Sequence, residues 1–234
     1  MTKNGARLIA VVGMVSEARL LDGAGLTVII GGGQASSLFE RLDHELSAGA
    51  ASVISFGLCG ALDPALEVGD CLVASAIIAD GERFPADSAW ATQIIASLPE
   101  AKLADLTAGD GIIPDGAAKA ALRRRTGAAA VDMESHIVAR LARRHGVPFT
   151  ALRVVSDAAD RALPKAAQAG LRGDGKPDII AVLRSLIADP RQLPALIRTG
   201  REAGAALRAL VEARQGSGAS IGCPYLGETL LGVA

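Results

Sequence analysis

The sequence predicts one α/β domain built on a largely parallel sheet with helices on both faces. Apolar, strand-like runs recur along the first 155 residues, and helical periodicity appears between several of them. Acidic residues stand where some of these runs end, and that is the edge at which open α/β sheets collect ligands.

The first strand is expected over Leu8 to Val15. Basic residues precede it, as in a signal peptide, but Ser16, Glu17 and Arg19 follow at once and no small-residue cleavage pattern is present. Further strands are expected over Leu26 to Ile30, Ser52 to Phe56, Asp70 to Ile78, Leu103 to Ala108, Ala128 to Val131 and Phe149 to Val155. Helical spacing is clearest over Ser36 to Leu46, Ala117 to Arg124 and Glu134 to His145. The last third reads as two or three helices interrupted by Pro190 and Pro194, with Asp189 placed to cap the helix after it. After Arg214 the tail reads first as a Gly/Ser linker, then as an apolar end that docks on a neighbour or stays disordered. The expected organisation is a catalytic domain over 1–214, whose helical extension covers about 160–214, and a tail over 215–234.

A formal charge of -1 gives no basic excess for nucleic acid. Three cysteines, Cys59, Cys71 and Cys223, lack metal-ligand spacing and form no disulfide framework, so a cytoplasmic setting is expected. No apolar run is long enough to cross a bilayer.

Four stretches carry chemistry. In "VVGMVSEARLL", Glu17 follows a strand end within one helical turn, as a helix-start carboxylate or as part of a site. Gly31 to Gly33 form a tight turn or let a ligand approach backbone amides, with no P-loop lysine and no dinucleotide spacing. In "GLCGALDPALEVGD", Gly57 and Gly60 again allow close approach, whereas Cys59 reads as a small buried hydrophobe. In "VDMES" and "VVSDAAD", Met133 alone reads as core and Asp132 and Asp157 as caps. Glu17, Glu134 and Asp157 together read as one site assembled from three strand ends. His44, His136 and His145 form no triad or metal pair, and His136 should face away from Glu134.

These motifs, in this order from Leu8 to Asp160, resemble the purine nucleoside phosphorylase and 5′-methylthioadenosine/S-adenosylhomocysteine nucleosidase superfamily. The resemblance implies a single-domain fold with a mixed central sheet flanked by helices, and an enzyme needing no metal or redox cofactor. It also implies a homodimer or higher homo-oligomer. By the same resemblance, Glu17 orients or deprotonates the attacking water, Met133 packs on the sugar and Glu134 accepts hydrogen bonds from the ribose hydroxyls. Asp157 protonates the purine at N7 with Ser156 beside it, and burial near the other carboxylates should keep Asp157 protonated. Gly33, Gly57, Cys59 and Gly60 fall among the substrate-contacting motifs. Ile112, in "AGDGII", stands where many relatives place a Phe against the base.

Departures sharpen the expectation. Where phosphorylase relatives hold phosphate with an Arg and a Ser, the matching positions are Ser55 and Leu58, which favours water as nucleophile and leaves phosphate as an optional co-substrate. The short connection between Leu21 and Gly31 lacks a hairpin found in the small nucleosidases, which opens the 5′ side of the sugar. The segment from Asp160 to Arg214, with "GLCGALDP", looks like the hopanoid-associated phosphorylase subgroup, which releases adenine from adenosylhopane. Its apolar helices would then receive a triterpenoid skeleton or rest on the inner membrane, or else pack as ordinary helices. Cleavage of methylthioadenosine, S-adenosylhomocysteine or futalosine is the alternative, and a nucleoside-binding protein the non-enzymatic one.

Overall fold

The computed structural model describes residues 7–22, 26–169 and 178–225. In chain order the strands and helices are β1 (Arg7–Val12), α1 (Val15–Ala18), β2 (Thr27–Ile30), α2 (Ala35–Ser47), β3 (Ala50–Ala61), β4 (Cys71–Ala79), β5 (Glu82–Pro85) and α3 (Ser88–Ser97). They continue as β6 (Lys102–Ala108), α4 (Gly116–Thr126), β7 (Ala130–Asp132), α5 (Ser135–His145), β8 (Phe149–Asp157), α6 (Lys165–Ala169), α7 (Ile179–Ala188) and α8 (Leu193–Ser217).

Eight strands form one sheet in the order β2-β1-β3-β7-β6-β4-β5, and β8 bonds to both β3 and β4. The pairings β3 to β8, β8 to β4, β4 to β6, β6 to β7 and β7 to β3 therefore close a ring. β7 and β8 follow their partners in opposite senses, since β3 pairs antiparallel with β7 and parallel with β8. The sheet is thus mixed, as the family resemblance implied. Strand–helix alternation alone pointed to a more parallel one.

Continuous apolar runs make the central strands. All of β1 after Arg7 and nearly all of β8 are buried, as a sheet covered on both faces requires. On one face, Leu38, Leu42 and Leu46 of α2 and Ile137, Val138 and Leu141 of α5 fill the core. Trp90 and Ile94 of α3 and Ala206, Leu210 and Ala213 of α8 fill the other. Each large apolar side chain so buried contributes about 1.5–3 kcal/mol. Caps set the helix ends: Asp87 and Asp115 accept amides at the starts of α3 and α4, and left-handed Gly127 and Gly146 close α4 and α5.

Some elements differ from expectation. β5 is an edge strand joined to β4 by Asp80 and Gly81, whose φ values of 51° and 78° make a tight two-residue hairpin. Pro190 ends α7, but Pro194 lies in the first turn of α8 and interrupts nothing. α8 continues past Arg214 to Ser217, and Ile221 and Cys223 beyond it are buried against the α3 face. The apolar end after Tyr225 lies outside the described residues.

Candidate active site

Glu17, in α1, is 2% exposed. One carboxylate oxygen accepts the amides of Gly13 and Met14, both at 2.8 Å, and the other accepts the Leu58 amide on β3 at 2.9 Å. The first two bonds are a local helix start; the third ties β1 to β3. Gly57 makes room for it, because a Cβ there would lie 2.6 Å from Glu17 Oε1, and its φ of +149° also suits glycine alone. Burial pushes the Glu17 carboxyl above its ordinary range, opposed by Arg153 and the three amides.

Glu134 leaves β7 at the start of α5 and turns inward between two other glycines. Cβ atoms at Gly13 and Gly31 would each come within 3.0 Å of its side chain. The strand-end glycines therefore clear space for carboxylates. Behind Glu134, the Arg153 guanidinium of β8 is 1% exposed, 3.5 Å from Glu134 Oε2 and 3.2 Å from Asp132 Oδ2. Burial pushes Glu134 up to about 7, with Asp132 and Glu17 adding to the rise and Arg153 opposing it. Asp132 is a cap, as one reading held: it accepts the amides of Glu134 and Ser135 at 2.9 and 2.7 Å and the Ser135 hydroxyl at 2.6 Å. Ser55, also buried, hydrogen-bonds to Ser135 Oγ at 2.9 Å and to Arg153.

Asp157 ends β8 beside Gly60, where a Cβ would meet its Oδ2 at 3.1 Å. Its neighbour is an ammonium and not a carboxylate: Lys119 of α4 ion-pairs with Oδ2 and donates to the Ala158 carbonyl at 2.8 Å. Burial among carboxylates, the expected source of its proton, is therefore not the arrangement found. Ser156 Oγ lies 2.8 Å from Asp157 Oδ1 and 3.1 Å from the Cys59 carbonyl. The Cys59 side chain itself is in the core, and burial drives its thiol well above the usual range.

A groove runs past Gly31, Gly33, Gln34, Asp110, Met133 and Glu134. The Met133 methyl lies over Gly33, 3.4 Å from where its Cβ would be. Asp110 is anchored by His136 Nε2 at 2.8 Å, so His136 holds the loop that carries Ile112. Ile112 is half-buried there. A second hollow, between β2 and α2 and lined by Thr27, Glu40, Arg41 and His44, contains none of the expected residues.

Two groups escaped the sequence reading. Arg153 was visible as a charge inside the apolar run "FTALRVVSD", where burial demands a partner. Lys119, in "GAAKAAL", carries no such signal, because a lone lysine on a helix is ordinarily solvated.

Solved structures share this fold. A 5′-methylthioadenosine/S-adenosylhomocysteine nucleosidase of Neisseria meningitidis, in complex with methylthio-immucillin-A, is 19% identical with a TM-score of 0.60, covering 89% of this chain and 97% of that one. The corresponding nucleosidase of Colwellia psychrerythraea, in complex with adenine, gives 18%, 0.59, 78% and 96%. Futalosine hydrolase of Helicobacter pylori gives 18%, 0.56, 79% and 98%. No curated protein sequence matches the chain. The family model described as "Phosphorylase superfamily" matches residues 8–188, and the chain belongs to that superfamily.

Proposed function

We propose that the protein hydrolyses the N-glycosidic bond of a 5′-substituted adenosine and releases adenine. The observation that carries this reading is the spacing of the two acids along one strand. Gly57 and Leu58 of β3 touch Glu17, and Gly60 touches Asp157. Three residues of extended chain span roughly 10 Å, on the scale of one nucleoside.

Asp157 delivers a proton to N7 while the C1′–N9 bond breaks and its electron pair passes to the purine. Without that proton the leaving group would be a purine anion. Glu134 holds the ribose hydroxyls and stabilises the positive charge that develops on the sugar. Met133 packs on the sugar, and Ser156 orients Asp157. Glu17 takes the proton of the water that attacks C1′. Its raised affinity for protons brings it nearer the range in which a general base works at neutral pH.

Water is favoured over phosphate because the Ser55 hydroxyl is already bonded to Ser135 and Arg153, and position 58 is a leucine. The preferred substrate in this reading is adenosylhopane. Exposed Ile179, Ile180, Leu183, Ile187, Leu193 and Ile197 give α7 and the start of α8 an apolar face, and no residue of α7 is buried. Exposed Arg184, Arg191, Arg198 and Arg201 interleave with it, and Asp189 is the one exposed acid among the described residues from 178 to 201. Such a face suits an anionic lipid surface, from which an apolar substrate would be drawn. Among the described residues no helix is long and apolar enough to cross a membrane, so the contact would be peripheral. Methylthioadenosine, S-adenosylhomocysteine and futalosine are the alternative substrates, supported by the names of the solved structures with this fold.

Adenine release by the purified protein and by Asp157→Asn tests the reading. The variant should bind the nucleoside yet lose turnover by about a hundredfold or more. A wild-type protein that binds adenosine derivatives and never releases adenine would make it a binding protein instead.

A further inference from the structure

α4 presents a polar surface to solvent and turns two side chains inward, Lys119 and Leu122, three residues apart on one face. A lysine at such a position, 2% exposed, costs several kcal/mol of desolvation unless it is paired. Its partners are the Asp157 carboxylate and the Ala158 carbonyl at 2.8 Å. The contact is built in from one turn earlier. Gly116 approaches the backbone of the loop after β8 so closely that a Cβ would lie 2.9 Å from the Asp160 carbonyl oxygen, which brings the start of α4 against the chain just beyond Asp157. α4 begins at Asp115, which caps it, so its register is fixed independently of the ion pair.

In the proposed reaction an acid must hold a proton when the purine arrives, yet Asp157 lies against a cation. Resting on that reading, we infer that Lys119 is the positioning residue of the acid, fixing Asp157 and supplying through it the proton that the purine receives. One proton is shared between Nζ and Oδ2. Moving it to Oδ2 turns a buried ion pair into a neutral amine and a neutral carboxylic acid, a change favoured when bound substrate excludes water. Asp157 then passes that proton to N7 as the C1′–N9 electrons go to the purine; after adenine leaves, Glu17 releases to solvent the proton it took from the attacking water, and the Lys119 amine regains one from solvent. Charge and protons balance over the cycle, and no further reactant is needed.

Other ionisable groups around the pair are few and identifiable. Cys59 of β3 lies close enough to feel the Asp157 charge. Asp160 and Arg161 follow β8, with Arg161 reaching Glu202 of α8 at 3.9 Å. Asp115 caps α4, and Arg123 of α4 pairs with Asp63 at 2.7 Å. None of these contacts Lys119 by a hydrogen bond or ion pair that would substitute for Asp157.

The test compares Lys119→Met and Lys119→Arg with the wild type from about pH 5.5 to about pH 8.5, following adenine release from whichever of adenosylhopane and methylthioadenosine the wild type cleaves. Without the lysine, the proton that Asp157 passes on must come from solvent, whose supply of protons falls as pH rises. K119M should therefore fall about a hundredfold below wild type near pH 8.5 and come within about fivefold of it near pH 5.5. Arginine keeps the charge but does not give up a proton, so K119R should stay low at both ends. Thermal unfolding of both variants confirms that the fold persists. A K119R enzyme close to wild type throughout, or a K119M deficit independent of pH, would overturn the inference and reduce Lys119 to an anchor. Loss of adenine release in the wild type itself would instead overturn the assigned reaction.

Discussion

Arg153 Nη2 lies 3.5 Å from Glu134 Oε2, and the same buried guanidinium faces Asp132 and feels the charge of Glu17. One cation, carried by β8, is thus shared among three carboxylates: Asp132 and Glu134 at the end of β7 and Glu17 in the helix after β1. Its removal strands those charges in a buried site. Arg153→Met should lower stability by about 3–5 kcal/mol and abolish adenine release, measured by denaturant unfolding and by turnover.

Burial of these carboxylates, which the shared cation only partly offsets, also fixes how stability responds to pH. Glu134 is raised from its ordinary 4.5 to about 7. Between those values the folded protein keeps a proton that the unfolded chain gives up, so unfolding releases it and stability falls as pH rises. The contribution is complete below pH 4.5 and is lost through about pH 7; Glu17, raised as well, acts in the same direction. Glu134→Gln should flatten the melting temperature over this window. A slope equal to the wild type's would show that Glu134 does not carry it.

Gly57 is where the geometry of the proposed water-activating carboxylate and that of the backbone meet. Gly57→Ala would set a methyl 2.6 Å from Glu17 Oε1 at a φ of +149°. The carboxylate must leave the Leu58 amide, so kcat should drop by about a hundredfold and stability by about 1–3 kcal/mol. Kinetics together with urea unfolding check both.

The arginine-studded face of α7 and α8 should hold the protein on lipid. Sedimentation with vesicles containing anionic lipid is expected, weakening as salt rises and failing with neutral vesicles. Leu183→Ser with Ile187→Ser should cut binding by about tenfold or more. A protein that ignores vesicles and instead forms a dimer broken by these substitutions would assign the face to a second copy of the chain.

Much of this was legible beforehand, for physical reasons. Buried strands such as β1 and β8 are continuous apolar runs, and the carboxylates that follow them have no business in a core unless they cap or react. Glu17, Glu134 and Asp157 could therefore be picked out by position. β5 was missed because it is short and half-exposed, although Asp80-Gly81 before it is a strong hairpin signal. By sequence Gly31 suggests a tight turn or an opening for ligand, and Gly57 an opening, whereas both, with Gly13, first of all make room for Glu134 and Glu17. Lys119 could not be found at all. Its pairing with Asp157, 38 residues away, depends on how close α4 packs to the end of β8, which no local pattern encodes.

Adenine release from adenosylhopane and from methylthioadenosine, each with and without phosphate and with mass spectrometry of the sugar product, tests the central claim most directly. Free ribosylhopane is expected from adenosylhopane at a rate indifferent to phosphate. A phosphate requirement with a phosphoribosyl product would contradict the role given to Glu17, and a preference for methylthioadenosine would contradict the apolar 5′ substrate.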